Sequence, residues 1–284
     1  MSASTTSATS LVVSFPEPFD FGLSTERYRA FGRDLANLWD DDALYRVFDA
    51  REVRIEGAPG GARIEPGRPE LAEPVRSYLG GQFDLDGFAA FSTRDPVLAP
   101  IVERLRGFRP PIAPDPWETL VTSITAQQVS LHAAFAIRNR LIEAYGTRFA
   151  RAYAFPTRES LALADQAELV ALGFSRRKAE YVVGLARSDV DLDPLAALPD
   201  EEVKNRLVAV RGLGEWTADW FLARHLARPR AWPAGDLGLR KAVSAFYLGG
   251  REATTDEVRA MGERFDPFQN LSAHYLLTGL RVLA

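Results

Sequence analysis

Two periods of apolar residues run along this chain, and the change between them falls near Ser92. From Leu11 to Phe91, the stretches LVVSF, ALYRVF and REVRIE read as β-strands. EGAPGGARIE places Pro59-Gly60 between two short alternating runs, as a hairpin turn requires. TERYRAFGRDLANLW carries Tyr28, Phe31, Leu35 and Leu38 at helical spacing. Residues 11–91 are therefore expected to form an α+β domain.

From residue 92 to 284 the three- and four-residue spacing dominates. DPVLAPIVERLRGF, PWETLVTSITAQQVS and LHAAFAIRNRLIEAYG each predict a helix. Helix starts are marked at Thr157, Ser175, Asp200 and Thr255, and Pro116 after Asp115 suits a first helical position. About eight to ten helices with short connections are expected, forming a mainly all-α bundle. No repeat at a solenoid period is present.

Composition adds mostly exclusions. The 284 residues, 46% hydrophobic and 25% charged, allow one large or two smaller globular cores. Cysteine is absent, which removes disulfides, thiolate-held iron–sulfur clusters and zinc–thiolate sites. His132, His225 and His274 lie far apart in sequence and read as packing or surface residues. The first ten residues are small and polar, without the pattern of a signal peptide, and are expected to be disordered. No apolar run approaches the roughly 20 residues of a membrane span, so a soluble cytoplasmic protein without a membrane partner is expected. A net charge of −4 argues against nonspecific coating of nucleic acid but permits a local basic face.

The stretch VRGLGEWTADW, residues 210–220, lies between two helical patterns. Val203, Leu207 and Val208 are expected to face inward on the first helix, and Ala218, Phe221 and Leu222 on the second. Gly212 and Gly214 are expected at positive φ, with no side chain on the outer surface of the turn. The amides opening the second helix have no intrahelical partners and sit at its positive end, so a phosphate could approach the bare backbone. Taken on its Gly-x-Gly spacing alone, the turn is equally well a ligand-free helix connection. Downstream, AWPAGDLGLRKAV is a Gly/Pro-rich loop ending in Asp236, whose ordinary role would be a helix N-cap.

In this order the two stretches resemble the signature of the helix–hairpin–helix (HhH-GPD) DNA glycosylase superfamily. The hairpin is similar at Gly212-Leu213-Gly214 and Thr217-Ala218, with Arg211 where the family usually has proline. The resemblance implies DNA contact by Arg211, Gly212, Gly214 and Thr217, and catalysis by the Asp236 carboxylate. It also implies that the carbonyls of Val208, Val210 and Leu213 can hold a monovalent cation, Na or K, with no other cofactor required. A carboxylate suits the chemistry, because breaking an N-glycosidic bond develops positive charge on the sugar.

Strand-cutting relatives carry a lysine two residues after the second hairpin glycine, where this chain has Trp216; Lys178, Lys204 and Lys241 are its lysines. The type resembled is the bacterial 3-methyladenine DNA glycosylase II (AlkA) type. That likeness implies a monofunctional hydrolase with a base pocket of Trp216, Trp220, Phe268 and Leu237. Electron-rich rings suit a cationic alkylated base such as 3-methyladenine or 7-methylguanine. Gln128 takes the place of the wedge that fills the gap left by the flipped nucleotide. Arg176, Arg177 and Lys178 read as a solvated face that could touch phosphate. FPEPFDF resembles the start of the type's N-terminal domain, an antiparallel sheet packed with helices. The expected partner is duplex DNA with damaged bases, bound by a monomer. A glycosylase for deaminated or oxidised bases, or a non-catalytic helix–hairpin–helix DNA-binding protein, stands as the alternative; a carboxylate beside the DNA face speaks against the latter.

Overall fold

The structure, a computed structural model, describes residues 10–283. The expectation for residues 1–10 thus falls outside it, apart from Ser10. Five strands form one antiparallel sheet: β1 (Leu11–Ser14), β2 (Leu38–Asp40), β3 (Ala43–Phe48), β4 (Arg51–Ala58) and β5 (Gly61–Glu65), in the order β1-β5-β4-β3-β2. The β4–β5 hairpin closes at Pro59-Gly60, with Ala58 opposite Gly61 and Gly60 at a φ of 74°. Val13, Val53, Ile55 and Ile64 are buried on one face of the sheet.

Two short helices, α1 (Phe21–Ser24) and α2 (Arg27–Ala30), replace the single helix expected around Tyr28. Gly32, at a φ of 100°, turns the chain after α2, and Leu38 becomes a strand residue. Val75 and Tyr78 of α3 (Ala72–Tyr78) join the buried face of the sheet.

Helices then follow one another: α4 (Leu85–Ser92), α5 (Leu98–Arg104), α6 (Pro116–Ala126) and α7 (Leu131–Tyr145). A small ribbon of β6 (Thr147–Arg148) and β7 (Tyr153–Ala154) comes next. After it come α8 (Arg158–Leu163), α9 (Gln166–Ala171), α10 (Arg176–Arg187), α11 (Asp200–Val208), α12 (Glu215–Arg224), α13 (Leu237–Tyr247), α14 (Thr255–Glu263) and α15 (Gln269–Val282). None is long and apolar enough to cross a membrane.

Thr157 and Ser175 cap their helices as expected. At α11 the cap position is Pro199, with Asp200 the first helical residue, and at α14 the cap is Thr254 in a box with Glu257. One large core runs through the helices and includes Phe83 and Phe88.

A buried ionic cluster joins the sheet to the helices. Glu118 on α6 receives Arg46 Nη2 from β3 and Arg138 Nη2 from α7, each at 2.6 Å. Arg138 Nε also reaches Asp34 Oδ1 at 3.3 Å, and Arg46 donates to Asn37. Burial opposes ionisation of Glu118, but the two guanidiniums overcome it and hold its carboxyl at about 2.

A depressed carboxyl pKa contributes stability above its unfolded value, and that contribution is lost as pH falls from there through the folded value. Wild-type stability should therefore fall from pH about 4.5 toward pH about 2 in part through Glu118. Glu118→Gln leaves two buried cations with one acid fewer and should cost roughly 3–5 kcal/mol at neutral pH. Urea melts across this range should show a shallower acid decline in the variant; an identical slope would contradict this role.

Candidate active site and nucleic-acid interface

The antiparallel pair α11 and α12 is joined by a tight turn in which the Val210 amide donates to Leu207 O and the Leu213 amide to Val210 O. Gly212 has a φ of 96°, so its freedom is required. A Cβ there would also lie 2.4 Å from Tyr181 Cγ. Gly214 differs from the expectation: its φ of −118° and ψ of −179° are ordinary extended values at the N-cap of α12. What glycine provides at 214 is open space, since a Cβ would meet nothing within 4 Å.

Val203 and Leu207 are buried, as are Ala218, Phe221 and Leu222, but Val208 is 48% exposed and faces away from the core. Thr217 is largely buried, on the lining of the cleft that Gly214 and Trp216 also border. Lys204 Nζ meets Asp219 Oδ1 at 2.9 Å and clips the two hairpin helices together. Burial raises the Asp219 carboxyl while Lys204 pulls it back down.

The cations near the hairpin are partly engaged. Arg211 pairs with Glu180 at 2.8 Å. Lys178 points inward, its Nζ donating to Thr125 O at 2.9 Å, because α10 packs on α6; it is not part of a solvated face. Arg177 donates to Tyr181 Oη at 2.9 Å, and Arg176 is exposed.

Asp236 is an N-cap, as its local sequence suggests, and is more than that. Its Oδ1 accepts the Leu239 amide at 2.9 Å, opening α13. Its Oδ2 accepts two indole N–H groups, Trp216 Nε1 and Trp220 Nε1, each at 3.0 Å. The four-residue spacing that puts both tryptophans on one face of α12 thus aims both donors at one carboxylate oxygen. The carboxylate is oriented from two helices while remaining only partly buried.

Asp236 lines a cleft of about 1060 Å³ together with Trp216, Trp220 and Leu237. Leu237 is 55% exposed at its rim. Gln128 is also on the lining, exposed, at a φ of 54° in the turn between α6 and α7. Gln127 Nε2 beside it donates to Gly212 O at 2.9 Å, tying this turn to the hairpin. Phe268, expected in the pocket, is not on the lining; its ring packs at 5.8 Å from Phe88 and 5.3 Å from Phe91. The aromatic cluster of α4 draws it inward.

Several lining residues escaped the sequence reading. Tyr28 and Phe31 come from the N-terminal domain, and the exposed apolar Val129 and Leu131 flank Gln128's turn. Arg224 lies 3.6 Å from the Trp220 ring centroid, and His274 meets the same indole edge-on at 5.8 Å. Burial, then the charges of Arg224, Arg27 and Arg281, hold His274 well below its ordinary range, so this imidazole is neutral. Lys241 lines the cleft as well. No local pattern marks them as a set, because the segments that carry them meet only in the folded chain. Among the described residues no cluster of His, Cys, Asp or Glu suits a metal ion.

A carboxylate held by two indoles thus lines the same cleft as the start of the second hairpin helix. Residues 121–267 match the profile described as HhH-GPD superfamily base excision DNA repair protein. The chain belongs to this superfamily. The chain is similar to a Bacillus subtilis DNA-3-methyladenine glycosylase, at 27% identity over 72% of this chain and 71% of the relative. Against several other curated relatives the match spans about half of their length, 57% and 49% in two of them.

Among solved structures, a 3-methyladenine DNA-glycosylase from Archaeoglobus fulgidus superposes with a TM-score of 0.85 at 25% identity, over 97% of this chain and 99% of that one. The Schizosaccharomyces pombe 3-methyladenine DNA glycosylase in complex with abasic DNA superposes at 0.59, with 27% identity over 68% of this chain and 95% of that one.

Proposed function

We propose that this member of the superfamily is a monofunctional DNA glycosylase that releases alkylated purines, of the 3-methyladenine and 7-methylguanine type, from duplex DNA. The observation that carries the reading is the Asp236 carboxylate, held by Trp216, Trp220 and the Leu239 amide at the edge of a large cleft beside the hairpin. The relatives' names support the 3-methyladenine part of this reading and, in one case, bound abasic DNA.

The hairpin amides at the start of α12 would take a phosphate, with Gly214 leaving them uncovered. The turn carrying Gln128, with exposed Val129 and Leu131 beside it, would enter the space vacated by the flipped nucleotide. The C1′–N bond then breaks, its electron pair leaving with the base. Asp236 stabilises the cationic sugar and accepts a proton from the water that bonds to C1′. A base alkylated on a ring nitrogen leaves as a neutral molecule, so no separate acid is needed.

The carbonyls of Val208, Val210 and Leu213 would suit a hard monovalent cation at the hairpin; Val210 O already accepts the Leu213 amide, and an oxygen has a second lone pair to give. The enzyme would act as a monomer in the compartment that holds its DNA.

Water, not an amine, is the nucleophile in this reading. Trp216 stands in the slot of the strand-cutting lysine, Lys178 is engaged with Thr125 O, and Lys204 with Asp219. Lys241 is the lysine on the cleft. Incubation with methylated duplex should release methylated purines and leave unbroken abasic strands, and borohydride should trap no protein–DNA adduct. An adduct lost in Lys241→Ala would overturn the monofunctional assignment.

A further inference from the structure

Arg224 has no task in the reaction just described, yet it lines the same cleft. Its guanidinium carbon lies over the Trp220 ring, 3.6 Å from the centroid, and so occupies one face of that indole. The buried arginines have partners for their terminal nitrogens, Arg46 and Arg138 in Glu118 and Arg109 in Phe83 O at 3.2 Å, although Nε of Arg46 and of Arg109 is likewise unpartnered. Arg224 has no hydrogen-bond or ion-pair partner among the described residues, and its Nε is shielded from solvent.

The charges that bear on it are Arg27 and Arg281, which repel it, and Asp236, which attracts it; burial acts more strongly than any of them against its charge. A guanidinium nevertheless keeps its proton in a protein, so its N–H groups are donors that await an acceptor. His274, edge-on to Trp220, is held well below its ordinary range, and its Nε2 is buried without a partner among the described residues.

Two things follow for a base drawn into this cleft. Trp220 cannot offer the face that Arg224 covers, which leaves Trp216 as the stacking ring beside Asp236. Only Nε of the half-buried Arg224 is shielded from solvent; its terminal N–H groups reach the cleft, and a base that displaces their water must supply an acceptor in its place or leave them unmatched. We propose that Arg224 is the specificity-determining donor of the base pocket, hydrogen-bonding a carbonyl oxygen of the flipped base. Purines with a C6 carbonyl, such as 7-methylguanine and hypoxanthine, are then taken in preference to those with a C6 amino group, such as 3-methyladenine. Hypoxanthine is uncharged, leaves as an anion and takes its proton from solvent water. 7-Methylguanine and 3-methyladenine carry the same positive charge, so the choice between them lies in the edge the base presents: an oxygen that accepts, or an amino group whose N–H meets another N–H. The inference rests on the glycosylase reading and names the substrates of that site.

The test is single-turnover release from duplexes that each carry one lesion, 7-methylguanine, hypoxanthine or 3-methyladenine. Arg224→Met keeps an extended side chain over Trp220 and removes the donors. It should slow release of the two carbonyl purines by about tenfold or more relative to 3-methyladenine, as expected when a site loses a charged donor. Arg224→Lys should recover part of that loss. An equal fall on all three lesions, or no change on any, overturns the proposal.

Free-base binding to the wild type, followed by tryptophan fluorescence, reads the same preference without a variant. Hypoxanthine should bind several-fold more tightly than adenine, and equal affinities would also overturn it. If the wild type releases none of the three lesions, the glycosylase reading fails, while the free-base comparison still decides the role of Arg224.

Discussion

Asp236→Asn should abolish nearly all base release while leaving the protein folded and able to bind DNA. Asparagine is as good an N-cap as aspartate, so the bond from the Leu239 amide survives and α13 keeps its start. With the single amide oxygen kept on that cap, the NH2 group faces the indole N–H groups of Trp216 and Trp220, and their two bonds to the side chain are lost. What disappears is a full negative charge beside the anomeric carbon, together with a base for water. Removing a positioned electrostatic group of this kind costs on the order of 10²–10³-fold in rate. Release from methylated duplex should therefore fall by about 10²-fold or more in single-turnover assays, with DNA affinity changed by no more than a few fold. Release within about fivefold of wild type would remove Asp236 from its role. Trp216→Phe deletes one of the two indole donors and leaves a smaller ring for the base to stack on, so a smaller loss than that of Asp236→Asn should accompany it.

The two hairpin glycines should respond in opposite ways, because they are glycine for different reasons. Gly212→Ala forces a Cβ to within 2.4 Å of Tyr181 Cγ and places alanine at a φ of 96°. Backbone strain and overpacking together predict a loss of about 2–5 kcal/mol. At this chain length that is a Tm lower by roughly 5–15 °C, and DNA binding falls with it. Gly214→Ala enters open space at a φ of −118°, so stability should change by less than about 1 kcal/mol. Its methyl group would stand before the amides of α12, and DNA affinity should fall by about tenfold while the Tm holds. Calorimetry and fluorescence anisotropy on the two variants separate these outcomes. Equal effects on both measurements from both variants would show that the turn does not hold DNA through its bare backbone.

The difference between these glycines marks how far the chain could be read. Their spacing and the helices on either side are local features, and the hairpin was legible from them. That Gly212 yields to Tyr181 of α10, whereas Gly214 faces empty space, depends on which helix packs over the turn. Trp216 and Trp220 were legible as a pair on one face of a helix, because a four-residue spacing is a full helical turn. Their shared target, a single oxygen of Asp236, was not, since it needs α13 to arrive at a particular angle. Phe268 shows the reverse case: its sequence position placed it in the pocket, and the aromatic packing of α4 took it elsewhere.

Strands, most helix starts, the hairpin turn and the order of the two signature stretches follow from the amino-acid sequence, because each is set by φ restrictions, capping and side-chain period within a few residues. The folded chain was needed for everything built by convergence. Glu118 is an unremarkable first-turn acid until Arg46 and Arg138 close on it from two other elements. Arg224 and His274 meet at Trp220 although fifty positions separate them, and Tyr28 and Phe31 reach the cleft from a different domain. Burial, charge pairing and the lining of a cleft depend on distances in space between residues remote along the chain, and no local pattern encodes those distances.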